Sequence, residues 1–331
     1  MCLLFFMSAM ITLAGCGVEP SAEGVEMAVA STSAGTTTLT PIPTLAPSAV
    51  PPANTTLTTP MSNSIVSPVA TLSFHPSSES PTVKTVDIEA DPAFASVEQS
   101  LIARYASVSP TKWGERVPGV KTRLHTKDKV IALTFDACGG KEGSDYDEKL
   151  IQYLIQEQIP ATLFINARWI AANPSTFQDL ASNPLFEIEN HGTEHRPLSV
   201  TGKPAYGIAG TKNVKEVIHE MKDNADQIEK LTGKRPLFFR SGTAFYDEIA
   251  VSVAHDLGFE LAGYSVLGDA GATYNTEQVY NAISKAPSGS IVLAHMNHPE
   301  KDTAEGVIKA IPQLRKLGYN FVLLAALELI E

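Results

Sequence analysis

From Val130 onward, short apolar runs alternate with longer amphipathic ones, and this alternation restricts what the chain can fold into more than any other feature. The runs VIALTF, ATLFI, LFEIE, PLFFR, FELAGYSV, SIVLA and NFVLLA have the length and the β-branched or aromatic content of buried strands. Segments with helical spacing lie between them. The clearest is TKNVKEVIHEMKDNADQIEKLTG, where Val214, Val217, Ile218, Met221, Ala225, Ile228 and Leu231 share one face and Gly233 sits where a C-terminal cap belongs. SDYDEKLIQYLIQEQ, YDEIAVSVAHDLG, TEQVYNAISKA and TAEGVIKAIPQLRKLG are further helix candidates. This order predicts an α/β fold with a parallel sheet, closed or nearly closed into a barrel. Chemistry in such folds gathers at the carboxyl ends of strands.

Four polar clusters fall at those ends: TFDACGG with Asp136, ENHGTEH with His191 and His195, FFRSGTAFYDE with Arg240, and IVLAHMNHPE with His295 and His298. An acid, an arginine and several histidines on one barrel face suit a hydrolytic metal site. A divalent ion such as zinc takes neutral imidazoles and leaves a position for water. His191 and His195 are therefore read as ligands, with an exposed turn as the rival reading. Asp136 precedes a glycine pair that lets the backbone turn, and a turn-capping aspartate is its rival role. Arg240 is placed to pair with a buried carboxylate, whether for structure or for catalysis. His295 is read as a general acid, since imidazole exchanges protons near neutrality. His298 reads as a surface residue. Cys138 reads as a small packing thiol rather than a nucleophile.

The first residues, MCLLFFMSAMITLAGC, form an apolar run too short to span a bilayer comfortably. Leu13, Ala14, Gly15 and Cys16 resemble the lipobox of bacterial lipoproteins, which implies that 1–16 is a lipoprotein signal peptide whose Cys16 is lipidated and becomes the mature N-terminus; no Lys or Arg precedes the apolar run. Stable anchoring would take more than one acyl chain. Residues 27–78 hold no Asp, Glu, Lys or Arg and are rich in Ser, Thr and Pro, so 17–86 is read as a disordered tether and 87–127 as a helical lead-in. With Cys2 and Cys16 at the N-terminus, Cys138 has no partner for an intrachain disulfide. A net charge of -11 argues against a nucleic-acid partner.

With these residues laid out, 130–329 resembles the polysaccharide deacetylase family, which includes chitooligosaccharide and peptidoglycan N-deacetylases. The resemblance implies a distorted (β/α) barrel of about seven strands for 128–331. TFDACGG is similar to the family's Thr-Phe-Asp-Asp-Gly motif: its catalytic base falls on Asp136, and its second acid, a metal ligand, falls on Ala137. NHGTEH is similar to the His-x-x-x-His motif and implies ligation by His191 and His195. FFRSGTA is similar to the motif whose arginine orients the base, here Arg240, although Ser241 and Gly242 stand where prolines are usual. IVLAH implies His295 as general acid, and the Asp and Trp motif leaves only Asp269 as a candidate.

The resemblance therefore implies a zinc-dependent, lipid-anchored, extracytoplasmic enzyme, read as a monomer, that removes N-acetyl groups from a cell-envelope glycan, with peptidoglycan favoured. Three ways of meeting the loss at Ala137 stand open. Asp136 moves onto the metal and Glu194 or Asp145 serves as base, water fills the position, or the protein is a catalytically silent glycan binder. An O-acetyl esterase with the same residues is a further alternative.

Overall fold

The computed structural model describes residues 92–331. The expected signal peptide, Cys16 and the tether of 17–86 lie outside them. Among the described residues no helix is long and apolar enough to cross a membrane.

In chain order the helices are α1 (Pro92–Tyr105), α2 (Glu148–Gln156), α3 (Ala167–Ala172), α4 (Pro174–Ser182), α5 (Val214–Thr232), α6 (Glu248–Asp256), α7 (Thr276–Ser284) and α8 (Thr303–Lys316). The strands are β1 (Trp113–Gly114), β2 (Val120–Lys121), β3 (Arg123–Leu124), β4 (Val130–Ala137), β5 (Ala161–Ile165), β6 (Phe186–Asn190), β7 (Phe238–Phe239), β8 (Tyr246–Asp247), β9 (Glu260–Ala262), β10 (Val266–Leu267), β11 (Ser290–His295), β12 (Asn320–Phe321) and β13 (Leu329–Ile330). Parallel pairing runs β11, β4, β5, β6, β7, β9, and β10 pairs back onto β11. Because β9 and β10 are halves of one apolar run, the ring is nearly closed, as the strand and helix alternation predicts. β12 adds a short parallel pair beside the first residues of β4.

Strand alternation divides the residues of β4 between two layers. Ile131, Leu133, Phe135 and Ala137 pack in the large cluster with Leu150, Ile151, Leu154, Trp169, Val307 and Ile311 of the surrounding helices. Ala132 packs with Phe164, Phe238, Ala262 and Ile291 in a separate, smaller cluster. These residues are almost completely buried, and each large one stabilises the fold by about 1.5–3 kcal/mol. Helix α5 starts where the Asn213 side chain accepts from the Glu216 amide, and it stops at Gly233, whose φ of 73° is left-handed.

Three local expectations change. FELAGYSV is not one strand. Arg240 draws on the carbonyls of Ala262 and Gly263, and the ladder breaks there. NFVLLA holds strand pairing only over Asn320–Phe321. The Leu324 amide turns instead to Thr162 Oγ1 and Glu187 Oε2, and a 3-10 turn covers Leu324–Ala326. Within the described part of the 87–127 lead-in, residues 92–127, the chain is helical only over α1, since β2 joins β9 and β3 pairs antiparallel with β11.

Candidate active site

The reacting groups sit where parallel strands end. Asp136 is the penultimate residue of β4, His295 the last of β11, His191 follows β6, Arg240 follows β7, and Asp269 lies two residues past β10. Register places His295 directly beside Asp136 on neighbouring strands. A cavity of about 650 Å³ opens at this end, lined among others by Asp136, Cys138, His195 and His295 and by the exposed Tyr206.

Arg240 is fully buried and uses its whole fork. Nη1 donates to Asp136 Oδ1 (2.7 Å) and Thr134 Oγ1 (2.8 Å), Nε to the Ala262 carbonyl (2.9 Å), and Nη2 to the Gly263 carbonyl (3.0 Å), while the guanidinium stacks on Phe164 at 4.1 Å. Such a fork fixes one carboxylate oxygen and leaves Oδ2 to the cavity side. Oδ2 lies 3.7 Å from His191 Nε2.

The histidine loop is braced from several sides. Asn166 Nδ2 donates to the carbonyls of His191 and Gly192, and Asn190 Oδ1 accepts from the Gly192 amide. Glu220, buried on α5, accepts from the amides of Glu194 and Arg196 on either side of His195. A side chain at Gly192 would meet Glu220 Oε1 at 2.4 Å, and its φ of +80° disfavours one as well. Burial pushes the Glu220 carboxyl up to about 7 against the pull of those two amides. His195 itself sits at φ +59°, a conformation non-glycine residues hold only when the surroundings enforce it.

His191 Nδ1 is 2.9 Å from the Arg240 carbonyl. That contact makes Nδ1 the N–H and turns the Nε2 lone pair inward. His195 Nε2 is buried with no hydrogen-bond partner, and the two rings meet edge to face at 4.9 Å between centroids. Cys138, read from the sequence as packing, lies with them: its sulfur is 3.9 Å from His191 Nε2. The donor atoms of Cys138, His191 and His195 all fall within 4.8 Å of one another. An orphaned imidazole nitrogen, a tautomer that aims a second one inward and a soft sulfur are the donor set of a tetrahedral divalent ion. These residues fit such a metal. Burial works against a charged His191, but Asp136 and the Cys138 sulfur outweigh it and hold the imidazole above its ordinary value. Burial alone would push the Cys138 thiol up; the imidazoles of His195, His191 and His295 bring it well below the usual range.

On the strand beside Asp136, His295 is fixed by Asp269. Its Nδ1 lies 2.9 Å from Asp269 Oδ1 and its backbone amide donates to Oδ2 at 2.7 Å; Thr303 donates to the same oxygen. Burial opposes the imidazolium, yet the buried Asp269 carboxylate holds His295 well above its ordinary value, and His295 in turn lowers Asp269. The residues weighed as substitute bases, Glu194 and Asp145, are exposed and do not line the cavity. His298 does line it, half-buried, and contacts Glu300. No local sequence pattern marks Asn166 or Glu220 as a support of the histidine loop. For Cys138 the available signal was a soft donor two residues past Asp136.

Residues 123–262 match the family model described as polysaccharide deacetylase. Over 205 residues the chain is 26% identical to a peptidoglycan-N-acetylmuramic acid deacetylase, PdaA, of Bacillus subtilis, covering 60% of this chain and 70% of that protein. It is 27% identical over 214 residues to a peptidoglycan-N-acetylglucosamine deacetylase of Bacillus cereus, covering 63% and 92%. Among solved structures, a CE4-family pseudoenzyme from Bacillus anthracis superposes with a TM-score of 0.53 at 21% identity over 67% of this chain and 70% of that one. PdaA of Bacillus subtilis, a family 4 carbohydrate esterase, gives 0.53 at 24% over 69% and 87%. The match of residues 123–262 to the polysaccharide deacetylase model agrees with the nearly closed barrel and with the order of its strand-end motifs.

Proposed function

We propose that this protein is a zinc-dependent N-deacetylase of peptidoglycan, carried outside the cytoplasmic membrane by the lipobox-like N-terminus and its tether. One observation carries the catalytic reading: a carboxylate held by Arg240 and an imidazole held by Asp269 stand side by side, Asp136 against His295, above the His191, His195 and Cys138 group. Two groups of opposite task, held in different environments, are what amide hydrolysis requires. Bound to that group, a divalent ion would supply Lewis-acid charge for the oxygen of the acetyl group and for a water near neutral pH.

Asp136 Oδ2, free of the Arg240 fork, takes a proton from the attacking water as its oxygen bonds to the acetyl carbon. His295, held above its ordinary value by Asp269, donates its proton to the sugar nitrogen as the carbon–nitrogen bond breaks, leaving acetate and a free amine. Arg240 keeps Asp136 in place through both events. The choice of peptidoglycan draws support from the named activities of the relatives and from the expected position at a cell wall.

Acetate release from peptidoglycan and from chitooligosaccharides, with zinc or cobalt supplied, tests this. Release that depends on metal and is lost in Asp136→Asn and His191→Ala is expected. Ready turnover of chitooligosaccharides with wall fragments ignored would overturn the substrate. Ala137 favours a second reading, a silent glycan-binding relic: no release from any substrate together with retained glycan binding would establish it instead.

A further inference from the structure

We propose that the Cys138 thiolate is the third protein ligand of the metal, replacing the carboxylate that is missing at Ala137; this deepens the metal-dependent reading above and rests on it. Ala137 is fully buried and belongs to the cluster between β4 and the helices. Its methyl group offers no donor atom. Alternate residues of an extended chain share a face, so Asp136 and Cys138 project together toward the cavity, and both line it.

The turn after Cys138 is built to hold it there. Gly139 has φ +69°, and a Cβ on it would lie 2.5 Å from the Trp169 amide nitrogen, so the chain can leave the strand only in this way and only with glycine. The Gly139 amide donates to the Gly143 carbonyl at 2.7 Å, and Arg168 Nη2 donates to the Cys138 carbonyl at 3.1 Å. The Cys138–Gly139 peptide is therefore held at both its carbonyl and its amide, independently of the Cys138 side chain.

The alternatives are weaker on the same geometry. Asp136 is committed to Arg240 and is not in the group whose donor atoms lie within 4.8 Å of one another; among the described residues that group is Cys138, His191 and His195. Zinc–sulfur and zinc–nitrogen bonds of about 2.3 and 2.0–2.1 Å in a tetrahedron set sulfur and nitrogen about 3.5 Å apart. The observed 3.9 Å between Cys138 Sγ and His191 Nε2 needs only a small contraction. His195 Nε2, buried and without a partner, supplies the third donor. A thiolate with two imidazoles leaves one tetrahedral position open, as in catalytic zinc sites, and selects zinc or cobalt over magnesium. Asp136 stays off the metal and remains free to act as base.

The test is spectroscopic. The purified protein is loaded with cobalt(II), and the near-ultraviolet thiolate-to-cobalt charge-transfer band is recorded beside metal stoichiometry and zinc affinity. Wild type is expected to bind one cobalt with that band. Cys138→Ser should lose the band and, since even outer-shell partners of metal ligands are worth about 10–100-fold in affinity, bind zinc about 100-fold or more weakly. Cys138→Asp, checked for native circular dichroism, should regain affinity without the band. One bound cobalt and no charge-transfer band in wild type would overturn thiolate ligation while leaving the deacetylase reading intact. Unchanged spectrum and affinity in Cys138→Ser would do the same. No bound metal at all would overturn both.

Discussion

Arg240→Met should expose how the buried ion pair is maintained. Arg240 is 0% and Asp136 3% exposed, so water screens neither charge. Removing one partner of such a pair costs about 3–5 kcal/mol, because the remaining charge stays buried and unpaired. The carbonyls of Ala262 and Gly263 lose their donor as well, at about 1–3 kcal/mol each, while methionine keeps part of the apolar contact with Phe164. The single variant is thus expected to lose on the order of 5 kcal/mol, a large share of the roughly 5–15 kcal/mol that holds a domain together. With Asp136→Asn already present there is no carboxylate to strand. The same change should then cost about 2–3 kcal/mol less, a coupling energy that a double-mutant cycle isolates. Urea unfolding followed by tryptophan fluorescence, with Trp169 fully buried as reporter, measures all four corners. Equal costs in the two backgrounds, within about 0.5 kcal/mol, would refute the claim that Arg240 serves mainly the Asp136 charge.

Further outcomes follow from the other pairs. His295→Gln should slow acetate release by about 10²–10⁴-fold, and Asp269→Asn, by removing the carboxylate that holds His295 high, should move the alkaline limb of the kcat/KM profile to lower pH; an unmoved limb would show that Asp269 does not tune His295. Glu220 titrates near 7 when folded and near 4.5 unfolded, so between those values the folded state holds more protons and stability contributed by this group falls as pH rises. Relative to wild type, Glu220→Gln lacks that loss, and the difference in unfolding free energy should drift in favour of the variant by on the order of 3 kcal/mol from pH 4.5 to 7; a flat difference would contradict it. Tyr206 is 74% exposed, stands edge-on to Phe245, donates to Glu115 Oε1 at 3.0 Å and lines the cavity. Tyr206→Ala should leave stability within about 0.5 kcal/mol. It should raise KM for the glycan about 2–10-fold, an aromatic contact being worth about 0.5–1.5 kcal/mol; an unchanged KM would remove Tyr206 from the substrate path.

Much of the barrel was legible because strand and helix signals are local. VIALTF, ATLFI and SIVLA are buried on both faces and read as strands by composition alone, and α5 carries its own face and its own caps. Helices α3 and α4 are not legible in the sequence. Their few buried side chains, Trp169, Ile170, Phe177 and Leu180, make too short a stripe to stand out from ARWIAANPSTFQDLAS. The break in FELAGYSV was also hidden, since it is imposed by a guanidinium about twenty residues upstream. Asp136, His191, His195, Arg240, Asp269 and His295 were nameable from motif order, and the fold brings all six to one end of the barrel.

What the sequence determined by itself was the alternation of elements and the residue types waiting at strand ends, because both depend on neighbours a few positions apart. Tertiary structure decided which of those residues meet. Asp136 faces His295 through the register of strands more than 150 residues apart, and Asp269 reaches His295 across the seam where the ring closes. The same holds for Cys138. Its place beside two imidazoles depends on the inward phase of β4, a left-handed glycine behind it and a histidine loop braced by Asn166 and Glu220, and none of these distances is encoded within reach of a local pattern.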